Sequence, residues 1–250
     1  MNGPAYQRIA ADLRAAIERG DYPPGSTLPR VVDLAATYGT AKETANKAVS
    51  QLEAEGLVDV VRRRGTVVRE HQVRRHITRT REVYRDELGY YFDPAAQGWR
   101  ALEPPLIEWR PCPRHIAELL DVAVGSPVLV RDRVMGDPET REVFQLATSY
   151  LPEAVARGTR LEQVDTGAGG IYARMEEEMG YGPLQWYERV SGRTPSPSEL
   201  AGLQLPAGVA LLCITRTTSS AEGRVLEVND TRMSAEKFEI GYPLTRHEGQ

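Results

Sequence analysis

Cysteine is almost missing from this chain of 250 residues: only Cys112 and Cys213 occur, far apart and outside any CxxC pair. That excludes a disulfide-stapled scaffold or a cysteine zinc centre, and it predicts two reduced, buried thiols in a cytoplasmic protein. Long apolar runs are missing too, and with no stretch of eighteen no transmembrane helix is expected. The N-terminus, Met1-Asn2-Gly3-Pro4, has neither the basic start and apolar run of a secretory signal nor a glycine at position 2 for myristoylation. The four histidines, His71, His76, His115 and His247, form no HExxH and no metal spacing. GxGxxG, GxxxxGK[ST] and GxSxG are absent as well. No metal, no cofactor and no enzymatic activity are therefore expected.

Lysine is scarce. It stands only at positions 42, 47 and 237, and two of the three fall in one short helix-like segment. The formal net charge of −4 argues against a polyanion partner when taken as a whole, but it is unevenly distributed. Residues 1–85 hold 15 Lys and Arg against 10 Asp and Glu, a balance of +5, which leaves −9 for residues 86–250. A basic module followed by an acidic one points to a polyanion partner for the first half only.

Helical periodicity marks residues 6–20, with Tyr6, Ile9, Ala10, Leu13 and Ile17 on one face and Gly20 at the end. A turn through Tyr22-Pro23-Pro24-Gly25-Ser26 precedes a second helix over 30–38, closed by Gly39. Thr40 with Glu43 has the spacing of a capping box for a third helix, reaching Glu55 and burying Ala45, Ala48, Val49 and Leu52. After Gly56 the pattern becomes strand, and 57–61 and 66–68 flank Arg62-Arg63-Arg64-Gly65, a hairpin with a basic tip. Three helices and a hairpin make a winged helix-turn-helix. Residues 71–90 read as a charged linker between a first domain, 1–70, and a second, 91–250. The second carries strand-like runs at 106–109, 128–135, 144–150, 185–191, 210–220 and 224–233, with helix-like pieces at 113–120, 151–157, 171–179 and 196–203. Long strands with few helices predict an antiparallel α+β domain rather than a doubly wound one.

In such a module the third helix would present Lys42, Glu43, Thr44, Asn46 and Lys47 to base edges and phosphates. Arg30, at the start of the second helix, suits a backbone phosphate, and Arg62, Arg63 and Arg64 would lie over the adjacent minor groove. Taken singly, each of these is equally a solvated face. Their order along the chain is the specific signal.

Residues 6–68 resemble the N-terminal domain of the GntR family of bacterial transcription regulators. The resemblance rests on Tyr6-Gln7-Arg8-Ile9-Ala10 with Leu13, on 20–29, on 52–58 and on Arg64-Gly65-Thr66-Val67-Val68. It implies a double-stranded DNA operator as partner and places Gly65 and Thr66 with the wing. Arg30, Val31, Thr40-Ala41-Lys42, Asn46 and Arg63 depart from the family's usual residues, Arg63 standing where glycine is typical. Residues 76–245 resemble the UTRA effector domain of the HutC-type subgroup through Arg131-x-Arg133, Ser149-Tyr150-Leu151-Pro152, Gly169-Gly170-Ile171-Tyr172 and Glu227. This implies a chorismate-lyase-like antiparallel sheet, homodimerisation and a small effector bound through Arg131, Arg133, Gly170, Glu227 and Met233. Ala147, Gly170 and Met233 replace a Glu, a Ser and a Tyr frequent in sugar-phosphate binders, which favours a less polar acidic or neutral effector. Two arginines at i and i+2 on a strand point to one side and suit an anion, or equally cover a sheet face. Tyr90, Tyr91, Phe92 and Trp99 offer apolar contacts to such a ligand, or core.

The reading is thus an effector-released, dimeric DNA-binding repressor with no membrane partner. The alternatives are a DNA-binding protein without a ligand and a lyase-like enzyme using the second domain's pocket.

Overall fold

The computed structural model describes residues 3–70, 74–79, 82–85, 91–92, 99–206 and 208–244. They form two compact units, with the main boundary just before Arg74. The first holds α1 (Ala5–Glu18), α2 (Val31–Thr37), α3 (Lys42–Ala54) and a hairpin of β1 (Val58–Val61) and β2 (Gly65–Val68). Its core joins Ile9, Ala10 and Leu13 of α1 to Leu34 of α2 and to Ala45, Ala48, Val49 and Leu52 of α3, with Leu28, Val58 and Val68. Each fully buried large side chain contributes about 1.5–3 kcal/mol. Arg14 of α1 donates to both carboxylate oxygens of Glu55 at 2.6–2.9 Å, tying α1 to the end of α3.

The expected capping box is not formed. The N-cap of α3 is Ala41, in extended conformation and with no side-chain cap, and its carbonyl accepts from the Thr44 and Ala45 amides. Thr40 is already engaged, because its amide closes the end of α2 on the Ala35 carbonyl after the left-handed Gly39 (φ 57°). A capping box does occur at α7 (Pro197–Gly202), between Ser196 and Glu199.

The second unit contains β3 (Arg75–Thr78), β4 (Tyr84–Arg85), β5 (Tyr91–Phe92), β6 (Arg100–Ala101), β7 (Leu106–Pro111), α4 (Arg114–Leu120), β8 (Pro127–Gly136), β9 (Val143–Pro152) and α5 (Glu153–Ala156). α6 (Gly170–Ala173) follows, then β10 (Gln185–Arg193), α7, β11 (Leu211–Ser219), β12 (Val225–Ser234) and β13 (Phe238–Gly241). The main sheet runs β10-β11-β12-β9-β8, all antiparallel, and β6 and β7 share the far edge of β8. All six strand-like runs of the second half lie within or largely within these strands. Part of the expected linker is structured: β3 pairs in parallel with β13, as a neighbour more than 150 residues away supplies the ladder that local sequence does not announce.

Strand alternation gives the sheet two distinct faces. On one, Val128, Val130, Tyr150 and Val228 pack under Ile116, Ala117 and Leu120 of α4. The other begins in an apolar cluster of Leu129, Leu151, Leu161 and Met175 and ends in one of Ile77, Ile214, Met233 and Phe238. Between these two clusters lies a band of polar side chains. Trp99 belongs to the second cluster, edge-on to Phe238 at 5.5 Å, so it is core. Tyr90 and the side chains of Tyr91 and Phe92 lie outside the described residues.

Candidate functional site

The outer face of α3 exposes Lys42, Glu43, Asn46 and Lys47, opposite the buried Ala45, Ala48 and Val49, while Thr44 is half-buried. Arg30 is the exposed N-cap of α2. The wing tip exposes Arg62, Arg63, Arg64 and Gly65. Arg63 sits at φ 69°, in the left-handed region that favours glycine. Arg64 is turned back, its Nη2 donating to the Gly25 carbonyl at 3.2 Å. Thr66 does not face outward: it is 8% exposed, and its carbonyl accepts from the Leu28 amide at 2.8 Å. Register decides this, since β2 must turn its inward side toward Leu28 and the core.

In the second unit, cross-strand register places Arg131 and Arg133, Ser149, Asn229, Arg216 and Glu188 on one sheet face, with Glu227 two residues before Asn229. Arg131 is buried and largely committed. Its Nη1 donates to the carbonyls of Leu161 (2.6 Å) and Gln163 (2.7 Å), and its Nη2 to that of Val164 (3.3 Å). It therefore holds the turn after Arg160–Glu162 rather than standing as one arm of an open clamp. Burial, reinforced by the nearby Arg133, pushes its pKa down to about 10.

Arg133 is differently placed. Its Nη2 donates to Ser149 Oγ at 2.9 Å, where Asn229 Nδ2 also donates at 3.0 Å, and its buried Nε has no partner among the described residues. Glu227 is fully buried. Its Oε2 accepts from Tyr172 at 2.7 Å and from Thr218 at 2.8 Å, and its Oε1 has no partner among the described residues. Burial and the neighbouring carboxylate push the Tyr172 hydroxyl well above its ordinary range, so it stays a donor. Tyr172 comes from α6, which opens on the left-handed pair Gly169 (φ 78°) and Gly170 (φ 64°). A side chain at either position would strain the turn that aims Tyr172 at the sheet.

At the β10 side Glu188 is shared. Arg79 Nη1 reaches both its oxygens at 2.8 and 2.9 Å, and Arg216 Nε donates at 2.7 Å. Among the described residues of this band, four guanidinia (Arg79, Arg131, Arg133 and Arg216) thus face two carboxylates, Glu188 and Glu227, a net positive set inside a net acidic chain. Met233 shares the face but is 1% exposed in the apolar cluster beside it. Sequence reading missed Ser149, Asn229, Arg216, Glu188 and Arg79 as members of this band. Ser149 alone had a signal, as the first residue of the Ser149-Tyr150-Leu151-Pro152 motif, but with no role assigned to its side chain.

Comparison with known proteins places both units. Residues 5–68 match the model of bacterial regulatory proteins of the gntR family, and residues 106–239 match the UTRA domain. The chain belongs to the GntR family, with a UTRA domain. An uncharacterised HTH-type transcriptional regulator of Streptomyces coelicolor is 30% identical over 90% of this chain and 86% of its own length. The HTH-type transcriptional regulator GgaR of Escherichia coli is 24% identical, covering 90% of this chain and 85% of its own. A crystal structure described as that of a GntR-family transcriptional regulator aligns over 98% of both chains, with 31% identity and a TM-score of 0.66.

This GntR regulator therefore pairs an HTH module, which implies DNA as partner, with a UTRA domain, which implies a small-molecule effector. Its α3 and its β1–β2 hairpin lie inside the gntR match. The UTRA match holds every member of the polar band except Arg79. Among the described residues, no helix is long and apolar enough to cross a membrane, and no cluster of ligating side chains has the makings of a metal site.

Proposed function

We propose that this GntR-UTRA chain is a repressor that binds a pseudo-palindromic operator as a homodimer and is released by a small anionic effector. Residues 1–70 read the DNA, 91–250 take the effector and dimerise, and 71–90 join them. Lys42 and Asn46 read bases, Arg30 and Lys47 meet phosphates, and the wing arginines enter the adjacent minor groove. The single observation that carries the effector reading is the pair of unsatisfied buried atoms, Arg133 Nε and Glu227 Oε1, on one net-positive sheet face. Leaving such atoms unpaired costs about 1–3 kcal/mol each, a cost that a ligand removes. The ligand is accordingly an anion for Arg133 that also offers a donor to Glu227. Among the described residues, the hydroxyls here are bound up, Ser149 with Arg133 and Asn229 and Tyr172 and Thr218 with Glu227, an arrangement that suits binding and disfavours a lyase.

Fluorescence anisotropy on a duplex from the chain's own promoter region, with a thermal-shift screen of acidic metabolites, tests this. The expected result is salt-sensitive binding and a metabolite that both raises the melting temperature and releases the DNA. Absence of binding at low ionic strength refutes the operator reading. A second reading, DNA binding without any ligand, is favoured by Met233 and Arg131, whose side chains are already packed or bonded. DNA binding with no stabilising metabolite would decide for it.

A further inference from the structure

The polar band extends beyond the effector groups to the chain that enters the domain. Ser149, Asn229, Arg216 and Glu188 are successive Cα partners across β9, β12, β11 and β10. Arg133 bonds the first of them and Arg79 the last. Arg79 comes from neither family-matched segment: it follows β3 directly, 11 residues after β2 ends. Its amide donates to the Gly241 carbonyl at 2.9 Å, and its side chain is only 15% exposed against Glu188. A connector residue is thus anchored on the sheet face that the effector would occupy.

We propose that Arg79 is a positioning residue that couples anion occupancy of this face to the docking of the connector, with Glu188 and Arg216 as intermediaries. This rests on the anionic-effector reading. The sign follows from electrostatics. Glu188 holds Arg79 by attraction, while Arg216, bound to the same carboxylate, repels it. An anion pairing with Arg216 or Arg133 adds negative potential at Arg79, so the connector docks more firmly. By reciprocity, a docked Arg79 raises the affinity for the anion. A unit charge several ångström away, partly screened, changes the docking equilibrium on the order of fivefold.

Hydrogen exchange on the full chain reads this at residues 74–79. Arg79→Gln and Glu188→Gln should speed exchange there. Arg216→Gln removes the repelling charge as an anion would, and should slow it by a few fold relative to wild type, with global stability checked by urea denaturation. If all three variants speed exchange, Arg79 is only a structural tie and the proposal falls. Because Arg216→Gln also shortens a half-buried side chain, inorganic phosphate against chloride at equal ionic strength supplies a second arm. Phosphate that raises the melting temperature and slows 74–79 in wild type but not in Arg79→Gln supports the coupling. Phosphate that raises the melting temperature yet leaves 74–79 unchanged overturns the coupling and leaves the effector reading standing. Failure of phosphate and of every acidic metabolite to stabilise the protein counts against that reading instead, and the three variants then decide the coupling.

Discussion

Replacing Arg63 with glycine should separate stability from DNA affinity. At φ 69° the arginine backbone occupies a conformation that costs an L-residue about 1–2 kcal/mol. Glycine removes that cost but loses more freedom on folding, which returns about 0.5–1 kcal/mol. The net expectation for Arg63→Gly is a gain of about 0.5–1 kcal/mol, which for a module of this size raises its melting temperature by roughly 2–8 °C. The substitution also removes one of the wing's exposed cations. If Arg63 meets the duplex, binding weakens and the slope of log affinity against log salt falls by about 0.9 per lost phosphate contact. Calorimetry of the full chain and anisotropy titrations at several salt concentrations measure the two effects separately. A destabilised variant would show that the side chain has a structural task outweighing the backbone strain. An unchanged salt slope would remove Arg63 from the interface.

Arg131→Ala should cost about 1–3 kcal/mol in urea denaturation of the UTRA domain, since it leaves the carbonyls of Leu161 and Gln163 without their donor; unchanged stability would contradict the role assigned to it. Gly136→Ala should destabilise by about 2–3 kcal/mol, because its Cβ would meet the Glu142 carbonyl oxygen at 2.0 Å, and that carbonyl is held by the Asp137 amide; a neutral effect would refute the close approach of β8 and β9 at their turn. Glu199, held by Arg193 at 2.6 Å, has its pKa lowered to about 2 from an ordinary 4.5. Its contribution is therefore present above pH 4.5 and lost as pH falls toward 2. With Arg193 46% exposed, screening limits it to about 1 kcal/mol, and acid denaturation of Glu199→Gln should lack that component. Lys42→Ala and Asn46→Ala should each weaken specific binding by about 1–3 kcal/mol in anisotropy, and equal loss on every sequence would show that they do not read bases.

Much of the first module was legible because its information is local. Ile9, Leu13, Leu34, Ala45 and Leu52 repeat at helical spacing, Gly39 and Gly56 end helices, and the arginine run marks a tip between two β-branched strands. A local pattern does not fix a boundary shared by two helices, however. Thr40 has the composition of a cap, but the end of α2 claims its amide, so Ala41 takes the position.

Sequence by itself determined the charge division, the antiparallel character of the second domain and the candidacy of Arg133 and Glu227, since composition, period and motif are properties of neighbours along the chain. Tertiary structure alone decided what each of those groups is bonded to. Arg131 and Arg133 look alike in sequence, yet one is held by the turn at 161–164 and the other keeps an unsatisfied nitrogen. Thr66 turns inward although it follows the wing tip directly. Glu188, Arg216 and Asn229 come from three strands and become one band through strand register, which Arg79, more than 100 residues earlier, joins through Glu188. Register is set by the packing of whole sheet faces, and no single stretch of the chain encodes it.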